Sequence, residues 1–119
     1  EDMMRRLLFT IAPFAWMGLI FYFSSKSGLP GPPEYWLDFI EKKLAHIAIY
    51  AILYLFWIEF FIVNKIKTHW LTPILFCFAY AGTDEFHQIF TPTRTATLRD
   101  VGFDMLGVMI ASLWNHKYL

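Results

Sequence analysis

From Leu44 to Val63 the chain runs for about 20 residues with a single formal charge, Glu59. At about 1.5 Å per residue, a helix of that length matches a hydrocarbon core of roughly 30 Å. Three further apolar stretches share the chain with it. Leu7 to Phe23 follows Arg5 and Arg6, Leu71 to Phe90 turns polar in its last third, and Leu98 to Trp114 carries two aspartates in its first half. This pattern predicts an all-α fold: an integral membrane bundle of four transmembrane helices over about 7–24, 43–63, 71–90 and 98–115, with residues 1–119 as a single domain. Composition agrees. With 57% hydrophobic and 20% aromatic residues in 119, the chain has more aromatic surface than so small a water-soluble core could bury. Ten Lys+Arg balance ten Asp+Glu, so the electrostatic footprint of a nucleic-acid binder is missing. Cys77 is the only cysteine, which excludes an internal disulfide and a Cys-built zinc site.

The connections are read from their breakers. Gly28-Leu29-Pro30-Gly31-Pro32-Pro33 cannot be helical, because proline lacks an amide hydrogen and restricts the residue before it. The segment from Glu34 to Lys43 then reads as a short amphipathic or interfacial piece with Tyr35, Trp36 and Phe39 at headgroup level. Pro73 falls in the first turn of the third helix, where a missing amide costs little, and Thr91-Pro92-Thr93 ends that helix. The basic start of the first stretch also fits a signal peptide, but Phe21-Tyr22-Phe23-Ser24-Ser25 has no small-x-small cleavage site, so the stretch is read as a retained membrane helix.

Orientation by positive charge is a tie between Arg5, Arg6, Lys65, Lys67 and Lys117 on one side and Lys26, Lys42, Lys43, Arg94 and Arg99 on the other. Lys43, Arg94 and Arg99 neighbour carboxylates, whereas Lys65 and Lys67 do not. The expectation is therefore cytoplasmic N- and C-termini in a multi-pass protein.

Polar residues fall on three helical stripes. Lys43, His46 and Tyr50 share a face at the start of the second helix, being three and four residues apart at about 100° per residue. Tyr80, Asp84, His87 and Gln88 share one at the end of the third, with Glu85 about 100° round from Asp84. Asp100, Asp104, Gly107 and Ala111 follow one another along the fourth, so its carboxylates open the face that its small residues continue. Ala15, Gly18, Tyr22 and Ser25 give the first helix a comparable narrow face, and small residues let helices approach closely in lipid. Antiparallel threading collects the three polar stripes, together with Arg94, at one membrane boundary. Ionised side chains at that depth turn inward to partners or water. Lys26 and Lys42 read as snorkelling charges, Glu59 as a boundary residue, and His69 and His116 as solvated.

The succession Lys43-x-x-His46-x-x-x-Tyr50, Asp84-Glu85-Phe86-His87-Gln88, Pro92-x-Arg94 and Asp100-x-x-x-Asp104-x-x-Gly107 resembles the VanZ-like family of small bacterial membrane proteins, from about Ser24 to Ala111. Asp104 departs from the Asn found in many members. The resemblance implies a four-helix protein of the bacterial cell membrane, in a family whose named members confer resistance to the lipid-tailed glycopeptide teicoplanin.

The cluster itself supports three kinds of function. As an enzyme on a lipid-linked substrate, a hydrolase or transferase, it would use Asp84, Glu85, His87 and His46 as catalytic acids and bases. Lys43, Tyr50, Gln88, Arg94 and Arg99 would bind the substrate, and Asp100, Asp104 and Asp84 could hold a divalent cation such as Mg. As a binding protein, the same pocket would hold a lipid, a lipid-linked cell-wall precursor or a lipoglycopeptide without chemistry. As a small ion-coupled transporter, it would need to form a homodimer, because one short bundle lacks repeated halves.

Overall fold

The structure is a computed structural model that describes residues 3–24, 35–88 and 98–118, with side chains described at 3–22, 40–87 and 101–115. The described residues form four helices, α1 (Met3–Ser24), α2 (Tyr35–Val63), α3 (Leu71–Gln88) and α4 (Leu98–Tyr118). The all-helical expectation is met. Two of the four are long and apolar enough to cross a membrane, within Met3–Tyr22 and Ile40–Val63, and Val101–Asn115 is a shorter apolar helix.

The expected start of the second helix near Lys43 is corrected by the backbone: α2 is already helical at Tyr35 and runs unbroken for 29 residues, about 43 Å at standard rise. The reason is local. No proline or glycine stands between Pro33 and Val63, so nothing interrupts the helix once it has started. Its other end is defined by a Schellman motif. The Ile66 amide donates to the Phe61 carbonyl (2.9 Å) and the Lys65 amide to that of Ile62 (3.1 Å), with Lys65 at φ 55° in the left-handed position that glycine usually takes. His69 then starts α3: its Nδ1 accepts from the Leu71 amide (3.2 Å) and its carbonyl from that of Thr72 (3.0 Å). The histidine expected to be merely solvated is thus an exposed helix cap.

α2 is the central helix, sharing its longest interface with α4 and its next longest with α1, while α3 packs on α4 and touches α2 and α1. The inward residues follow the helical period. Tyr50, Leu53, Tyr54 and Trp57 are buried on α2, Ile74, Cys77 and Ala81 on α3, and Val108 and Ala111 on α4. The expected narrow face of α4 is used, because Gly107 lies against the backbone of α2. A Cβ there would overlap the Ile47 carbonyl, so only glycine permits this approach. The corresponding expectation for α1 is overturned: Ala15, Gly18 and Tyr22 are exposed and Gly18 has open space around it, while Ser25 lies outside the described residues. α1 instead packs through Pro13, Trp16, Met17 and Ile20, and Trp16 donates its indole N–H to the Ile49 carbonyl at 3.0 Å. Larger side chains with more apolar area and a hydrogen bond to give won that interface. Outside, Leu7, Leu8 and Ile11 of α1, Leu75 and Phe78 of α3, and Met109, Ile110 and Leu113 of α4 are exposed.

Candidate functional site

The three inward faces do not stay apolar to the end. Continuing α4 one turn back from Gly107 and Val108 puts Asp104 in the core, 1% exposed; continuing α3 beyond Cys77 and Ala81 puts Asp84 there, 2% exposed, with Glu85 beside it at 9%. α2 contributes His46, one turn before Tyr50. At the bundle end where these faces meet, carboxylates and an imidazole occupy positions that elsewhere hold core residues.

Asp104 and His46 are joined directly, Nδ1 to Oδ1 at 2.7 Å. The bond is made possible one turn away, where Gly107 brings α4 onto the α2 backbone at Ile47, the residue after His46. Lys43 stands one turn before His46 with its Nζ 5.7 Å from the ring centroid of Phe103, the residue before Asp104. Both Lys43 and Asp84 act electrostatically on the imidazole. Tyr50, fully buried, keeps its ring within 7° of parallel to that of His46 at 6.5 Å and lies 6.4 Å from Tyr80. Asp104 and Asp84 both act on the Tyr50 phenol, whose hydroxyl has no hydrogen-bond partner among the described residues.

The rest of the α3 stripe faces α1. Tyr80 donates to the Met17 carbonyl at 2.5 Å, and the His87 ring stacks on Phe21 at 4.2 Å. The two histidines expected to work together are therefore engaged on different sides, His46 with α4 and His87 with α1. The expected binding residues Gln88, Arg94 and Arg99, and the expected metal ligand Asp100, have side chains outside the described residues. Among the described residues no three His, Cys, Asp or Glu side chains form a group able to hold a metal ion. Of the expected cation ligands, Asp104 has one oxygen committed to His46.

Spacing along single helices missed the partners supplied by neighbouring helices: Phe103 for Lys43, Phe21 for His87 and the Met17 carbonyl for Tyr80. It also missed a clamp at the opposite end. Arg5 donates to both Glu59 oxygens at 2.7 and 3.2 Å, and Asn64 donates to the Thr10 hydroxyl at 3.0 Å and to the Phe60 carbonyl at 2.9 Å. Glu59 thus has a partner on α1.

A family model described as VanZ/LLP1 matches residues 8–115. No curated protein and no solved structure matches the chain.

Proposed function

The chain belongs to the VanZ/LLP1 family, and from that membership and the geometry of its polar end we propose that it is a multi-pass membrane protein that binds an anionic headgroup. All four helices cross the bilayer, both termini are cytoplasmic, and the pocket opens at the outer face. Its ligand is a lipid, a lipid-linked cell-wall precursor or a lipid-tailed glycopeptide of the teicoplanin kind. The observation that carries this reading is the His46–Asp104 pair, with Asp104 1% exposed and Asp84 2% exposed nearby, inside helices whose outer faces are apolar. Removing such groups from water costs several kcal/mol each in order of magnitude, and apolar residues of similar volume often give equal or better stability. Ionisable groups held among membrane helices line ligand or ion pathways as a rule. Lys43, one turn nearer the helix start, supplies the cation for a phosphate or carboxylate.

The test is binding by the purified protein in nanodiscs, titrated separately with a lipid phosphate, a lipid-linked cell-wall precursor and teicoplanin. At least one of them binds saturably, and Lys43→Ala weakens that binding about tenfold or more, whereas Arg5→Ala at the opposite end leaves it unchanged. Equal binding by all three proteins would remove the polar end from the account.

A further inference from the structure

The start of α1 and the connection from α2 to α3 carry charges that the polar end does not use. Arg5, Arg6, Lys65 and Lys67 stand there, and among the described residues the only carboxylate beside them is Glu59. Glu59 is committed to Arg5, which donates to both of its oxygens. Arg6 gives its Nε to the neutral Asn64 Oδ1 at 3.4 Å, and the exposed side chains of Lys65 and Lys67 pair with no described residue. This end therefore presents three cations in excess, whereas the other end holds both signs together.

The local geometry sets these groups on one joint. Lys65 is held in its left-handed conformation by the amide bonds that close α2. Asn64, the residue before it, binds Thr10 and Arg6 of α1. His69 adds a further donor: its Nδ1 accepts from the Leu71 amide, so the proton of the neutral ring is on Nε2. Ile66 and Trp70 stand among these donors on the same connection and are exposed, the Trp70 ring 5.6 Å from that of His69. Indoles concentrate at headgroup level in a bilayer, and basic residues beside them attract anionic lipid.

Charge complementarity decides which lipid. A phosphodiester carries one negative charge, so a lipid with one phosphate answers one of the three cations and exchanges with its neighbours. A lipid with two phosphodiesters delivers the second charge at the high effective concentration of an intramolecular contact. We propose that Arg6, Lys65, Lys67 and His69 form a docking surface for an anionic lipid bearing two phosphate groups, in the leaflet that this end of the bundle meets. The cations and the His69 Nε2–H take the phosphates, and Trp70 and Ile66 enter the headgroup region beside them. The surface lies at the opposite end of α2 from His46. It is independent of the headgroup reading of the polar end and needs only that the connection from α2 to α3 lies at a membrane boundary.

The test titrates the full chain in detergent with cardiolipin and, separately, with phosphatidylglycerol of the same acyl type, and counts bound lipid by native mass spectrometry. One basic residue at an anionic membrane surface is worth about fivefold in affinity. The Lys65→Gln, Lys67→Gln double variant therefore binds cardiolipin about twenty-five-fold more weakly than the wild type, while its affinity for phosphatidylglycerol is unchanged. Lys65→Arg with Lys67→Arg keeps cardiolipin binding, because the charges remain. Trp70→Ala weakens it, as a lipid requires and a free phosphate does not. Added salt narrows the gap between the wild type and the glutamine variant, since exposed charges are screened. All of these positions are exposed, so the variants retain the fold. Unchanged cardiolipin affinity in the glutamine variant overturns the proposal, as does a folded wild type that binds no cardiolipin. An equal loss for both lipids overturns it too, because the surface would then answer single phosphates.

Discussion

The two ends of the bundle are built on the same inward faces and filled with opposite chemistry. Where α1 starts and α2 ends, Trp57 is the hub: its ring centroid lies 5.5 Å from that of Phe14, 5.2 Å from Phe60, 6.1 Å from Phe61 and 4.9 Å from Phe76, mostly in edge-on contacts. The polar groups around it are partly exposed and matched, although the indole N–H of Trp57 itself is buried without a hydrogen-bond partner among the described residues. Arg5 and Glu59 keep 38% and 30% of their side-chain surface, and Asn64 ties Thr10 to the end of α2. Ion pairs of that exposure contribute little, so this end is held by aromatic packing. At the other end the inward positions hold Asp104, Asp84 and Glu85, and His46 closes on Asp104. The first end demonstrates that this architecture packs well without buried charge. On the proposed reading, the charges at the second end are there for the ligand they bind.

That contrast can be broken by substitution. Trp57→Ala should cause the largest loss, about 3–5 kcal/mol, because it empties the aromatic hub; unfolding in detergent reads it as a lowered Tm. Gly107→Ala should cost about 1–3 kcal/mol by driving a methyl group into the Ile47 carbonyl, whereas Gly18→Ala on the open face of α1 should leave Tm within about 0.5 kcal/mol of wild type or raise it slightly. The double replacement His46→Leu with Asp104→Leu should leave stability equal or higher by about 1 kcal/mol or more while abolishing headgroup binding, which separates cost from use at the polar end. A large loss of stability in that double variant would make the pair a structural element. Arg5→Ala should have a small effect, under about 1 kcal/mol in Tm-derived stability, with binding intact.

Different parts of this molecule were legible in the sequence to different degrees, for physical reasons. The end of α2 and the starts of α3 and α4 came within reach because hydropathy changes sharply there and Pro73 suits a first turn. The start of α2 did not, since polar residues without a breaker read as an interfacial segment while the backbone continues the helix. Periodicity placed Lys43, His46 and Tyr50 on one face and Asp104 and Gly107 on another, because rotation about a helix is fixed at about 100° per residue. It could not pair His46 with Asp104, since the axial register between two helices is set by their contact, here the approach of Gly107 to Ile47. The small residues of α1 misled for the same reason. Ala15 and Gly18 permit a close approach, but Trp16, Met17 and Ile20 had more area to bury and took the interface.

The central claim is that the polar end of the bundle is a binding site. Its most direct test is a phosphatidylglycerol titration of wild type against the His46→Leu, Asp104→Leu double variant, both folded in nanodiscs. The account predicts saturable binding by the wild type and none by the double variant. The same isotherm for both proteins would contradict it.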